Sequence, residues 1–310
     1  MQYDPWTPTV ALDPPSLDTT LRLVGDRGWV ARLVCRAFTN ASCSVTESSI
    51  DSVERLVLVR QVTKWREPTN MCTFAARAGH LDLLQWARSG GCVLSTATPA
   101  HAAKKGHLAV LQWLRYNGCP WDEWTCARAA AGGHLDVLQW ARLNGCPWDK
   151  WTCSYAAAHS HLEVLQWAWF LGCPWDRWTC ANAAESGDLK VLQWVRVNGC
   201  PWDERTCHLA AQAGHLDALQ WARLHGCPWD ETVCYLAAKN GHLKVLQWAR
   251  LNGCPWDSRA CTYAAQHGHL EVLQFARLHG CPWGCTTRLR AAENGHLEVL
   301  QWARLNGCPE

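Results

Sequence analysis

Phenylalanine and methionine are scarce, with 4 Phe and 2 Met in 310 residues, while the same chain holds 22 Trp and 19 Cys. A composition skewed this way arises when one short segment rich in Trp and Cys is copied many times, so repetition is the first feature to seek. A dominant charge is lacking too: 29 Lys plus Arg stand against 27 Asp plus Glu. So weak a field gives no pull on nucleic acid, anionic lipid or an acidic substrate. No apolar stretch approaches the roughly 18 residues of a membrane span. Met1-Gln2-Tyr3-Asp4-Pro5 lacks the basic region and apolar core of a signal peptide. The expectation is a soluble, intracellular, cytoplasmic protein. An odd cysteine count without a secretory leader then points to reduced, buried thiols.

What is present is a period. The Leu of a recurring Gly-His-Leu motif falls at Leu81, Leu108, Leu135, Leu162, Leu189, Leu216, Leu243, Leu270 and Leu297, every step being 27 residues. Nine copies in register are the signature of a solenoid. In the unit Trp121 to Pro147, Asp122 is placed to cap a first helix over Glu123 to Ala131, which ends at Gly132-Gly133. A second helix is predicted from Leu135 to Leu143, with Val137, Leu138 and Ala141 on one apolar stripe, before Asn144-Gly145 and Pro147 stop it. Neither helix reaches the roughly 12 to 15 residues at which an isolated helix becomes marginally stable, so the pairs must stack. Ala129-Ala130 and Ala156-Ala157 offer small surfaces for close approach, and Leu138 and Trp140 supply core bulk.

The run A-A-x-x-G-H-L-x-V-L, followed by a second helix and Gly-Cys, resembles the ankyrin repeat from about Glu67 to Glu310. The T-P-L-H opening of that family is replaced by forms such as Trp124-Thr125-Cys126-Ala127, with a trace at Thr98-Pro99. The resemblance implies an all-α solenoid of stacked helix-turn-helix units that binds a partner protein without cofactor or catalysis. The shorter unit implies loss of the protruding β-turn finger. Units with G-C-P-W-D-E and L-Q-W-A-R are similar to arrays abundant in large DNA viruses and amoebae. For a viral source, that implies interaction with a host protein in the host cytoplasm or nucleus.

The ends differ. Residues 1–20 carry Pro5, Pro8, Pro14 and Pro15 without periodicity and read as a flexible lead. In the 21–66 segment, Arg32-Leu33-Val34-Cys35-Arg36-Ala37-Phe38 resembles the R-L-V-C-R-x-F helix of F-box domains, though the opening Leu-Pro pair is absent. The resemblance implies docking of a ubiquitin-ligase adaptor through Leu33, Val34 and Phe38; the alternative is a plain helical cap. Ser52 to Arg60 reads as a degenerate leading repeat, and Pro309-Glu310 directly after a second helix leaves no further domain expected.

Cysteines form two ladders, one after each Gly (Cys92 to Cys308) and one in first helices (Cys126 to Cys261), neither with the paired C-x2–4-C spacing that zinc requires. Core packing is expected for them. The Gly-His-Leu histidines recur about a helix diameter apart, on the order of 10 Å, too far to share an ion, and read as hydrogen-bonding the backbone between the two helices. Asp188, in the same place, suits a helix cap. No singular Cys, His and carboxylate cluster and no G-x-x-x-x-G-K loop is present, so neither a metal-dependent enzyme nor a phosphate site is favoured. A monomeric array is expected, and nucleic-acid binding stands as a second reading.

Divergence between repeats marks the candidate site. At −11, −7 and −4 from each motif Leu, offsets that share one helical stripe, the units disagree. The stripe runs Trp124, Arg128, Ala131; Trp151, Tyr155, Ala158; Trp178, Asn182, Glu185; Arg205, Leu209, Gln212; Thr232, Leu236, Lys239; Arg259, Tyr263, Gln266. Trp, Tyr and Arg are the commonest interface anchors, and Trp124, Trp151 and Trp178 are expected in a row. Two uses stay open: gripping a partner, or stacking on one another and on the next Pro-Trp to close the solenoid.

Overall fold

The computed structural model describes residues 69–309, and over them eighteen helices succeed one another with no strand among the described residues. They form nine pairs. These are α1 (Thr69–Ala78) and α2 (Leu81–Ser89), α3 (Ala97–Lys104) and α4 (Leu108–Tyr116), α5 (Glu123–Gly132) and α6 (Leu135–Leu143), α7 (Lys150–Ala158) and α8 (Leu162–Phe170), and α9 (Arg177–Ser186) and α10 (Leu189–Val197). There follow α11 (Glu204–Ala213) and α12 (Leu216–Leu224), α13 (Glu231–Lys239) and α14 (Leu243–Leu251), α15 (Ser258–Gln266) and α16 (Leu270–Leu278), and α17 (Cys285–Glu293) and α18 (Leu297–Leu305). The lead, the segment with Leu33, Val34 and Phe38, and the Ser52 to Arg60 run lie outside the described residues.

Six of the nine first helices start at a turn capped by aspartate. Asp122 has extended backbone and its Oδ1 accepts from the Trp124 N–H at 3.1 Å, and Asp149, Asp176, Asp203, Asp230 and Asp257 repeat the contact. Both helices of the unit stop in the same way. Gly133 at φ 74° lets the His134 and Gly133 N–H groups reach back to Ala129 and Ala130, and Gly145 at φ 79° does so for Cys146 and Gly145 onto Ala141 and Arg142. This double closure satisfies carbonyls that would otherwise face the core without partners.

Neighbouring first helices lie against each other along their alanine faces, whereas neighbouring second helices meet sparingly. The stack therefore curves with the first helices on its inner side. One core cluster runs from Ala103 to Leu300 through Cys126, Leu138, Cys153 and Leu165, all fully buried. Burial of each such Leu stabilises by about 1.5–3 kcal/mol, and no unit could bury it alone.

The tryptophans of the Leu-Gln-Trp motif depart from the expectation of core residues. Trp140 and Trp167 are half-buried and pack against the outside of the core. Each meets the Pro-Trp indole of its own unit edge-on, Trp121 with Trp140 and Trp148 with Trp167 at 5.9 Å between centroids. The preceding unit lays an arginine on that indole, Arg142 lying 4.0 Å from the Trp148 ring. Arg142 also donates to the Cys146 carbonyl, bracing the turn between units. In the next unit Trp169 occupies the arginine position and stacks on Trp175 at 5.7 Å.

Candidate partner-binding face

Ala131, placed on the stripe by its offset, is 4 % exposed, so the face does not include it, although Glu185, Gln212 and Lys239 at the same offset are exposed. Apart from Trp178 and Arg205, the remaining aromatic and basic stripe residues collect in two clusters on the inner helices. In the first, Tyr155 of α7 bridges Trp124 of α5 at 6.1 Å and Trp151 at 5.9 Å, while Arg128 lies over Trp124 at 5.5 Å and over Tyr155 at 5.9 Å. In the second, Tyr263 of α15 meets Tyr235 of α13 at 5.5 Å; Arg259 lies over Tyr235 at 4.6 Å and Lys239 over Tyr263 at 6.0 Å.

Trp178 does not extend the expected row but lies under Arg205 at 5.0 Å. Asn182 donates to the Ser154 hydroxyl of the previous unit at 2.7 Å, and Leu209 and Leu236 are half-buried between the two clusters. Nor do these indoles stack on a Pro-Trp, since those rings are engaged on the second-helix side.

Charge on the face is mostly paired across units. Lys150 meets Asp176 at 2.9 Å, Arg177 meets Asp203 at 3.3 Å, and Arg259 meets Glu231 at 3.0 Å. His208 lies 2.7 Å from Asp230. Exposed pairs of this kind contribute only about 0–1 kcal/mol each, but they fix which side chains remain available. Beside the first cluster a cleft of about 210 Å³ opens between α3 and α5, lined by Thr96, Ala97, Ala100, His101, Asp122, Trp124 and Arg128.

Several of these residues escaped the stripe. Tyr235 and His208 sit one position before it, where Ala127, Ser154, Ala181 and Thr262 also differ, so the same comparison at −8 would have found them. His101 falls on the −7 offset in the unit of α3, a copy not compared. On the second-helix side Trp169, Phe170 and Leu171 are 36, 80 and 51 % exposed where most units carry Arg-Leu-Asn or Arg-Leu-His, a departure legible in the repeat itself.

Residues 100–142 and 207–250 match the family model for ankyrin repeats in many copies. With the stacked helix pairs, that decides the family resemblance. The helix pairs of residues 69–309 are ankyrin-like repeats. Such repeats generally mediate protein–protein interaction as non-enzymatic scaffolds. No curated protein matches the chain. No helix among the described residues is long and apolar enough to cross a membrane.

Within the ankyrin-like units, sulfur and imidazole have structural partners. The Gly-Cys thiols donate to the carbonyl of their own unit's N-cap residue, as from Cys173 to Asp149 at 3.3 Å and from Cys227 to Asp203 at 3.3 Å. A hydrogen bond to that second sulfur, together with burial, pushes the thiols of Cys126, Cys153, Cys180 and Cys207 far above their ordinary range. In the first unit the sulfurs of Cys72 and Cys92 lie against each other. Motif histidines reach further than expected, donating to the end of the preceding unit's first helix: His242 to the Gln212 carbonyl at 3.0 Å and His269 to that of Lys239 at 3.1 Å. Asp188 instead caps α10, accepting from the Lys190 N–H at 2.9 Å. No group of three or more metal-capable side chains occurs among the described residues.

Proposed function

We propose that this chain is a scaffold that grips a partner protein on its inner, first-helix face. The observation that carries the reading is the gathering of repeat-divergent Trp, Tyr and Arg into the Trp124/Arg128/Trp151/Tyr155 and Tyr235/Arg259/Tyr263 clusters on one concave side. Recurring residues build the array and differing ones select. Nucleic-acid binding is the weaker reading, because Lys150, Arg177 and Arg259 already face carboxylates and leave no basic track for a phosphate backbone.

The reading includes a division into a lead at 1–20, a segment at 21–66 and a monomeric array at 67–310 acting in the cytoplasm, or in a host cell if the source is viral. Leu33, Val34 and Phe38 recruit a ubiquitin-ligase adaptor, and the array chooses the protein to be modified. The test is affinity capture from lysate with the full chain, the chain lacking residues 1–66, and the Trp151→Ala, Tyr155→Ala chain. The partner is expected to be lost only with the double substitution and the adaptor only with the truncation. Capture unaffected by the double substitution refutes the inner face as the binding surface, and adaptor retention by the truncated chain refutes the adaptor role of 21–66.

A further inference from the structure

The inner face is unevenly satisfied. Lys150, Arg177 and Arg259 each have a carboxylate within 3.3 Å, but Arg128 is held only by its faces, over Trp124 and Tyr155. No carboxylate approaches it among the described residues. A guanidinium over aromatic rings retains N–H donors for the fork that matches a carboxylate with two parallel hydrogen bonds. Arg128 lines the cleft between α3 and α5, whose wall continues with His101 and the exposed Trp124.

The surrounding field is positive. Burial first, and then the charges of Arg77, Arg128 and Lys104, hold the His101 imidazole below its ordinary range. The cleft's own carboxylate, Asp122, has Oδ1 engaged by the Trp124 N–H. In a chain of net charge +2 these cations gather at one end of the face.

Granted the protein-binding reading above, we propose that this cleft receives an Asp or Glu side chain of the partner, its carboxylate paired in plane with Arg128 and the adjoining apolar part of the partner lying on Trp124. A phosphorylated side chain offers the same paired oxygens to a guanidinium, so the test separates the two.

The test is selection of random 12-residue displayed peptides on the full chain, with counter-selection on the Arg128→Gln chain. Selected peptides are expected to be enriched in Asp or Glu beside an apolar residue. They are expected to lose at least about tenfold in affinity on Arg128→Gln and nearly as much on Arg128→Lys, which keeps the charge but not the fork. Replacing the peptide's acid with its amide should lose the same factor on the original chain and nothing further on Arg128→Gln, a comparison that stands even if Arg128 also supports the local packing. Failure to select any peptide that distinguishes the two chains, or an acid that matters equally on both, overturns the proposal. So does binding restricted to phosphorylated peptides. Peptides weakened by Trp151→Ala, Tyr155→Ala but indifferent to Arg128 sink the cleft assignment alone. Peptides indifferent to both sink the inner-face reading itself.

Discussion

Ser160 is the single non-glycine residue with positive φ among the described residues, at 60°, and it stands where the neighbouring units carry glycine. Those glycines lie beneath the motif histidine of the following unit: a Cβ on Gly133 would stand 2.6 Å from the His161 ring, and one on Gly187 2.5 Å from the His215 ring. By register the residue facing Ser160 is Asp188, the one motif position in the array that lacks histidine. The two departures are therefore expected to be coupled. Asp188→His alone loses the cap onto Lys190 and Val191, about 1 kcal/mol, and the new ring cannot take its seat against the serine Cβ. Its hydrogen bond to the preceding helix, worth about 1 kcal/mol elsewhere in the array, is then not made in return. Ser160→Gly alone relieves left-handed strain of about 1 kcal/mol but frees the unfolded chain by a similar amount, so it should change stability by less than about 0.5 kcal/mol. With glycine already at 160, Asp188→His should be close to neutral. The coupling is thus about 1–2 kcal/mol. Urea unfolding of the four chains, followed by helical circular dichroism, measures it. Additivity of the two substitutions to within about 0.4 kcal/mol would refute the interlock.

Burial holds the imidazoles of His107, His161 and His269 below the ordinary value of 6.5, so the unfolded chain takes up protons at a higher pH than the folded one. Their contribution is present in full above pH 6.5 and is lost as pH falls through the depressed folded values. Melting temperature should drop between pH 7.5 and 5.5, and replacing the three with Gln should flatten the drop; an unchanged profile counts against it. Among residues 69–309, Cys285 is the exposed free thiol, and alkylation of the folded chain should label it well before Cys126, Cys153 or Cys180, whose thiols stay protonated. Equal labelling rates by peptide mapping would show the ladders to be open. Trp167→Ala should destabilise by about 2–3 kcal/mol, less than the 3–5 typical of a core aromatic because the ring is half-buried. Trp151→Ala with Tyr155→Ala, whose rings are half-buried too, should cost about 2–3 kcal/mol in stability and leave the chain folded, but at least about 2 kcal/mol in partner binding measured on the folded chain; unchanged binding would make the inner cluster mere packing.

Helix boundaries were legible because the signals that set them are local. Asp122, Gly133 and Asn144-Gly145 punctuate a period of 27 residues, and the second helix runs over Leu135–Leu143 as its pattern predicts. Recurrence was a poorer guide to burial. Trp140 repeats in every unit but one, where Phe275 stands, yet repetition shows only that the units offer the same surroundings, and those of Trp140 are an indole edge and solvent. Contacts between units were also hidden, since a histidine that donates to a carbonyl 30 residues back belongs to no pattern within one unit. At the site, offsets on an ideal helix located Trp124, Arg128, Trp151 and Tyr155 together but could not mark how deeply each side chain is covered by the neighbouring unit. Hence Ala131 was included, and Tyr235, one residue aside, was passed over.

The two open uses of the aromatic ladder prove not to be exclusive. Trp124, Trp151 and Tyr155 touch one another, so they do pack, yet Trp124 remains 39 % exposed and the cluster faces the open side of the curve. A surface already packed in its free state holds its rings and guanidinium in place before any partner arrives. Ordering a long side chain on association costs about 0.5–1.5 kcal/mol, and here Arg128 and Tyr155 are restrained beforehand by their mutual stacking. Contacts within the ladder therefore support binding rather than compete with it, provided the partner takes the edges and outer faces the cluster leaves free. The same restraint narrows what the face accepts, because a packed cluster reshapes little. Selection between partners then rests on side chains that differ from unit to unit, set on a frame whose alanines, thiols and capping aspartates recur in most units.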